Sequence, residues 1–179
     1  MKTAIVYATM HGTTKKLAEM IKSEMENRTT GVGDGGDGEE GGDGEEGAEV
    51  SLFNLKKVGE PDLNEFERVI VGGSIHAGRV QSVIKKFCKK HSEELLKKEL
   101  GLFLCGMNEP AYEKQFDKAF PEALRAHSKS NKTLGGEFIF EEMNFFQKFI
   151  VKKVSGVSES VSKINEDKVA EFVSEMVAS

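Results

Sequence analysis

The chain has 179 residues, of which 38% are hydrophobic and 31% charged, a composition that predicts one soluble domain over residues 1–179. No segment approaches the roughly 20 apolar residues that a membrane-spanning helix needs. The net charge of −5 comes from residues 31–49, which hold eight acidic residues, whereas the rest carries 25 basic and 22 acidic residues. This near-neutral remainder argues against a nucleic-acid-binding protein.

The chain starts with a strand, a polar turn and a helix. Thr3–Ala8 is a short apolar strand, and Thr13–Asn27 has the i, i+3, i+4 apolar spacing of a helix. A helix N-terminus offers unpaired N–H groups and the positive end of a dipole, so this turn is typical of a phosphate cradle. It lacks the lysine of GxxxxGK[ST] and the spacing of GxGxxG, which disfavours ATP, GTP and dinucleotides. An ordinary capped helix is the alternative. The candidate phosphate-binding residues are Thr9, Met10, His11, Gly12, Thr13 and Thr14.

An acidic, glycine-rich tract follows the first helix. Residues Gly31–Gly47 contain nine glycines and two copies of Gly-Asp-Gly-Glu-Glu-Gly. Such a segment buries too little apolar surface to offset the entropy of ordering it, so we expect a disordered loop inserted before the second strand. Carboxylates that alternate with glycine also suggest calcium binding, but the EF-hand spacing and the nonapeptide calcium repeat are both missing.

Beyond this tract, strand and helix patterns alternate. Five apolar strands with helices between them predict an α/β fold, an open, doubly wound, five-stranded parallel sheet with helices on both faces. The predicted strands are Thr3–Ala8, Val50–Leu55, Arg68–Gly73, Leu102–Cys105 and Leu134–Phe140. The later predicted helices are Val80–His91, Tyr112–His127, Asn144–Val154 and Asp167–Val177.

Ligands of such sheets bind beyond the carboxyl ends of the strands, where the strand order reverses. Three polar loops that contain glycine follow predicted strand ends, and glycine lets the backbone approach a planar ligand closely. The first loop is the turn Thr9–Thr14. The second loop supplies the candidates Ser74, Ile75, His76, Ala77, Gly78 and Arg79. The third loop supplies Cys105, Gly106, Met107, Asn108 and Tyr112.

Neither the start of the sequence nor its cysteines indicate export. Met1 and Lys2 lead directly into the first strand, with no signal peptide between them. Cys88 and Cys105 lack CxxC or metal-type spacing. We therefore expect a cytoplasmic protein with buried, reduced thiols, a catalytic cysteine being the alternative. The four histidines are scattered, so the sequence predicts no metal site.

These stretches together resemble the flavodoxin domain family over Met1–Ala178. Thr9–Thr14 is similar to the family's T/S-x-T-G-x-T phosphate loop, and the other matching stretches are Val69–Arg79, with its Gly-Gly-Ser-Ile-x-x-Gly run, and Leu134–Gly156. Within the family, the chain is most similar to the menaquinone-dependent protoporphyrinogen oxidase group. The resemblance implies a flavodoxin-like fold, FMN as the cofactor and the three loops as its binding site.

The resemblance implies a redox protein that transfers electrons through bound FMN to a redox partner protein or a quinone. The alternatives are a menaquinone-dependent protoporphyrinogen oxidase of heme biosynthesis and a flavin-free binding module on the same fold. Whether the chain is an enzyme stays open. Tyr112 is a candidate for stacking on the flavin, and His76 either lies against the flavin or is an exposed loop residue.

Residues 144–154 combine an aromatic stripe with basic positions. Phe145, Phe146 and Phe149 recur at helical spacing, with lysines at other positions of the segment. A helix that covers a sheet needs such an apolar face, so we expect this stripe to pack on the core. Peripheral contact with a membrane, where a quinone would be found, is the alternative.

Overall fold

The structure is a computed structural model. It describes residues 1–9, 12–29, 48–76, 79–138, 148–149, 152–153 and 159–178. Several sequence expectations lie outside these ranges, namely the acidic loop Gly31–Gly47, most of the helix Asn144–Val154, and the site candidates Met10, His11, Ala77 and Gly78.

Among the described residues, six strands form the main sheet, and five of them are parallel. They are β1 (Lys2–Tyr7), β2 (Glu49–Asn54), β3 (Arg68–His76), β4 (Arg79–Val80), β5 (Glu99–Cys105) and β6 (Ser130–Thr133). The parallel strands follow the order β2-β1-β3-β5-β6, and β4 pairs antiparallel with β3. The chain passes from β1 outward to β2 and returns to β3 on the other side of β1. The strand order therefore reverses between β1 and β3, which confirms the doubly wound parallel sheet.

Helices cover both faces of the sheet, as the sequence predicted. They are α1 (Thr13–Thr29), α2 (Ser82–Lys90), α3 (Ser92–Leu95), α4 (Tyr112–Ala119), α5 (Glu122–His127) and α6 (Glu166–Val177). On one face, apolar residues of α1 and α6 pack around Ile5, Ile70 and Phe103. Residues of α2, α3, α4 and α5 pack around Val71 and Leu102 on the other face. The central strands are apolar on both sides because each side is covered.

The fifth parallel strand lies earlier than the sequence predicted. It is β6, whereas the expected strand Leu134–Phe140 begins only after β6 has ended. β6 reads Ser-Asn-Lys-Thr, and β5 is its one partner strand in the described ranges, so as an edge strand it needs no continuous apolar pattern. Glu137–Phe138 forms a separate strand, β7, which pairs antiparallel with β8 (Val161–Ser162).

Two further boundaries differ from the sequence expectation. The strand predicted over Arg68–Gly73 continues to His76 and pairs with β4, so much of the second loop is a β-hairpin. The helix predicted over Tyr112–His127 is divided into α4 and α5, because Pro121 keeps the preceding residue Phe120 out of the helical region, at φ −120° and ψ 140°. Across the described ranges, no helix combines the length and apolarity that crossing a bilayer requires.

Candidate functional site

The strand register brings the three predicted loops to one edge of the sheet. Tyr7 at the end of β1 is aligned with Gly72 of β3, and Ser74 of β3 is aligned with Cys105 at the end of β5. The loops after these strands therefore emerge side by side, where the strand order reverses. This is the position at which doubly wound sheets bind ligands.

The first turn is built around Gly12. Gly12 has φ +85°, a conformation that L side chains rarely adopt, and a Cβ placed there would meet nothing within 4 Å. Its N–H donates to Thr9 Oγ1 at 3.0 Å, and its carbonyl accepts the first hydrogen bond of α1 from Lys16 N at 2.9 Å. Gly12 therefore caps α1, and the N–H groups just after it make no bond within the helix.

Thr14 carries an unsatisfied hydroxyl at this turn. The residue is fully buried, and its Oγ1 makes no well-formed hydrogen bond in the structure. The thiol of Cys105 lies close enough for the Thr14 hydroxyl to lower its pKa slightly, but a thiol is a weak hydrogen-bonding group. A buried hydroxyl without a strong partner costs about 1–3 kcal/mol, and an anion bound at the helix N-terminus would supply the missing acceptor.

The second loop is the hairpin of β3 and β4. Ile75 is paired with Val80, and His76 with Arg79, across the turn. The Ile75 side chain covers the third loop, because a Cβ on Gly106 would lie only 2.9 Å from Ile75 Cδ1. Ser74 is buried at the base of the hairpin, whereas Arg79 is exposed. The second loop is therefore held against the third.

The third loop is fixed through the backbone of Gly106. The Gly106 N–H donates to Gly135 O at 2.9 Å, and the Gly106 carbonyl accepts from the Tyr112 hydroxyl at 2.7 Å. Both hydrogen-bonding groups of the Gly106 backbone are therefore occupied by other residues of the chain. Met107 is half-buried and Asn108 is exposed. Tyr112 also lines an open groove of about 690 Å³ between α4, α5, β6 and α6.

A carboxylate that the sequence did not single out lies behind the first turn. Glu137 follows the pair Gly135 and Gly136, and its side chain is only 6% exposed. Its partner is Lys16 of α1, with 3.1 Å between Lys16 Nζ and Glu137 Oε2. No spacing rule links these residues, which are 121 positions apart, so only the fold reveals the pair.

The Cys105 thiol lies between this carboxylate and the turn. Burial, and after it the negative charge of Glu137, raise the pKa of this thiol to about 12 against the opposing effect of the Thr14 hydroxyl. Burial also raises the pKa of Cys88 to about 12. Such thiols are protonated and inert, which fits the expected buried, reduced cysteines better than a nucleophile. In the described part of the chain, no group of three or more histidine, cysteine or acidic residues forms a metal site.

Phe149 is the described member of the aromatic stripe, and it does not pack on the core. Its side chain is 57% exposed. The neighbouring Lys152 and Lys153 are exposed as well. The expectation of core packing is therefore wrong at Phe149, while Phe145 and Phe146 lie outside the described residues.

Comparison with known proteins agrees with this geometry. A family model described as a flavodoxin domain matches residues 43–164. Protoporphyrinogen IX dehydrogenase [quinone] of Escherichia coli (strain K12) is 26% identical over 95 residues, which are 53% of this chain and 42% of that protein. The match thus spans less than half of the relative's length.

Solved flavodoxins share the fold. The Streptococcus pneumoniae TIGR4 flavodoxin superposes with a TM-score of 0.54 at 14% identity, covering 98% of this chain and 97% of that one. A Fusobacterium nucleatum flavodoxin mutant bound to flavin mononucleotide superposes with a TM-score of 0.50 at 14% identity, covering 98% and 94% of the two chains. Because the family model covers more than half of the sequence, the chain belongs to the flavodoxin domain family.

Proposed function

We propose that this member of the flavodoxin domain family binds FMN at its three loops and transfers electrons through it to a redox partner protein or a quinone. The observation that carries the proposal is the first turn, where the start of α1 meets the unsatisfied hydroxyl of Thr14. The residues present fit a phosphate monoester, because they offer neutral hydroxyl and amide donors. FMN, when bound, supplies one- and two-electron transfer, and the protein supplies binding and orientation.

The phosphate would be held by the first turn. The N–H groups of Thr13, Thr14 and Lys15 precede the first helical hydrogen bond, which Lys16 N makes with Gly12. These donors and the dipole of a 17-residue helix favour a dianion. Thr9 keeps the turn closed through its bond from the Gly12 N–H, so its hydroxyl acts on the phosphate mainly by shaping the turn.

The flavin ring would lie between the second and third loops. Our candidates on the second loop are Ser74, Ile75, His76, Ala77, Gly78 and Arg79. Those on the third loop are Cys105, Gly106, Met107, Asn108 and Tyr112. The contact of Ile75 with Gly106 fixes the spacing of the two loops. It also places the apolar side chain of Ile75 against the backbone of the third loop. By excluding water, this wall would disfavour negative charge on a bound flavin ring.

Removing the hydroxyls of the turn tests the assignment. We expect Thr9→Ala/Thr14→Ala to weaken FMN binding at least about tenfold, since a hydrogen bond to a charged group is worth about 1.5–3 kcal/mol. The measurement is fluorescence quenching during titration of the apoprotein with FMN. Thr3→Ala is the control, because Thr3, like Thr14, is fully buried with an unpartnered hydroxyl but lies in β1, away from the first turn.

The control should bind FMN as the wild type does, and the double variant should bind riboflavin, which has no phosphate, with unchanged affinity. An FMN dissociation constant that the double substitution leaves unchanged would overturn the assignment. A wild-type protein that is colourless as purified and takes up no FMN would favour the flavin-free binding module.

The second candidate function is menaquinone-dependent oxidation of protoporphyrinogen, with peripheral membrane contact through residues 144–154. The match to the E. coli enzyme supports the activity, and the exposed Phe149 beside two exposed lysines supports the contact. FMN-loaded protein supplied with protoporphyrinogen and a menaquinone analogue tests the activity. Rapid, quinone-dependent porphyrin formation would establish the oxidase, and its absence with reversible FMN reduction would establish the carrier.

A further inference from the structure

Four polar groups from three distant parts of the chain lie close together at the first turn. They are the Thr14 hydroxyl, the Cys105 thiol, the Glu137 carboxylate and the Lys16 ammonium group. The thiol contacts the threonine hydroxyl and is influenced by the charge of Glu137, which is bound to Lys16 at 3.1 Å. The nearly buried negative charge of Glu137 therefore lies close to the proposed phosphate site, with the Cys105 thiol next to it.

The backbone fixes the position of Glu137. The preceding residues are held by hydrogen bonds from Lys163 N to Gly136 O at 2.7 Å and from Gly106 N to Gly135 O at 2.9 Å. Glu137 itself is paired with Ser162 in the ribbon of β7 and β8. Its side chain is almost inaccessible, whereas the side chain of Lys16 is 56% exposed. The Glu137 carboxylate is thus held in place, and the exposed, flexible Lys16 side chain reaches it.

Lys16 would otherwise be free to approach the phosphate. It lies in the first turn of α1, and side chains on a helix lean toward the N-terminus. Lys15, the other lysine of this turn, forms an ion pair with Glu19 at 3.1 Å, with both side chains about half exposed. Both lysines at the start of α1 therefore already face carboxylates.

We propose that Glu137 sets the affinity and charge preference of the phosphate site by holding Lys16 away from it. This inference rests on the proposed FMN site. Because its lysines are neutralised, the turn binds a phosphate monoester through neutral donors. Glu137 is a positioning residue, since it acts on the ligand through Lys16.

The test is FMN and riboflavin binding by Glu137→Gln, which keeps the shape of the side chain and removes its charge. We expect FMN to bind about tenfold more tightly, the effect of one charge pair at a few ångström in partly screened surroundings. Riboflavin should bind as it does to the wild type. The gain for FMN should shrink as the salt concentration rises.

Two other variants complete the experiment. Lys16→Met leaves the carboxylate uncompensated and should weaken FMN binding about tenfold with riboflavin unaffected. Glu19→Gln is the matched control, because it frees the neighbouring lysine from an exposed pair without removing a fixed charge, and it should change FMN affinity less than about twofold. Melting curves of each variant show whether the fold is retained.

The inference is overturned if folded Glu137→Gln binds FMN no more tightly than the wild type, or if FMN and riboflavin change by equal factors. Should Glu137→Gln fail to fold, an unchanged FMN affinity of Lys16→Met overturns it instead. A wild type that binds no FMN at all defeats the proposed function separately. In that case, stabilisation by inorganic phosphate still tests the inference, since it should be larger in Glu137→Gln than in the wild type.

Discussion

Replacing Gly135 by alanine should destabilise the protein far more than an ordinary glycine substitution. Gly135 has φ +82°, and a Cβ there would lie 1.9 Å from the carbonyl oxygen of Lys163. That oxygen belongs to backbone and cannot rotate away as a flexible side chain would. The substitution therefore forces apart two segments that are joined by the bonds from Lys163 N to Gly136 O and from Asn165 N to Leu134 O.

The chain offers an internal reference for the magnitude. Gly59 has φ +80°, nearly the same conformation, but a Cβ there would meet nothing within 4 Å. Gly59→Ala should cost only the backbone strain of about 1–2 kcal/mol. Gly135→Ala adds the loss of one or two hydrogen bonds and the displacement of a carbonyl, for a total of about 3–5 kcal/mol. At about 2–4 °C per kcal/mol for a chain of this size, the melting temperatures should fall by roughly 2–8 °C and 6–20 °C.

Thermal melting followed by circular dichroism measures both variants under the same conditions. The difference between them isolates the contact with Lys163, since the backbone strain is common to both. If Gly135→Ala melts no lower than Gly59→Ala, the backbone around Lys163 moves away from the new Cβ at little cost in stability. The argument that Gly135 and Gly136 fix the third loop through Gly106 would then be refuted.

Two further predictions concern titratable groups. Hydrogen bonds from His91 and then Lys90 lower the pKa of Glu60 below its ordinary value of 4.5, so its contribution to stability is complete above that value and is lost as the pH falls below it. Glu60→Gln should therefore lower the melting temperature near neutrality but not in strong acid, and an equal loss at every pH would contradict this. Because burial raises the pKa of Cys88 and Cys105 to about 12, both thiols should resist an aromatic disulfide reagent at about pH 8 until the protein is unfolded. Rapid reaction of the native protein would show that one thiol is accessible.

The sequence predicted those parts of the fold in which local pattern and tertiary environment agree. Apolar runs mark β1, β3 and β5 because these strands are buried on both faces, and the loops after them carry glycines of the candidate site. β6 was not predicted from the sequence because an edge strand can be polar. Its Ser130 and Lys132 are instead bound by Glu175 of α6, a tertiary partner that no local pattern reveals.

The same distinction applies to the site. Turn chemistry is local, so Thr9, Gly12 and Thr14 could be identified as candidates from a few consecutive residues. The pair of Lys16 and Glu137 depends on where two distant segments cross. The Gly106 N–H likewise bonds to a distant residue, Gly135, while its carbonyl accepts from Tyr112 at the end of the same loop. Glycine in a loop indicates a close approach, but the sequence does not say whether a ligand or the protein's own backbone makes it.

The third loop is therefore held in place by residues that follow the main sheet in the chain. Gly106 is held by Gly135, and Gly135 is held in turn against Lys163, which lies next to β8. β7 and β8, which precede and follow the segment that contains Phe149, are thus joined to the support of the third loop.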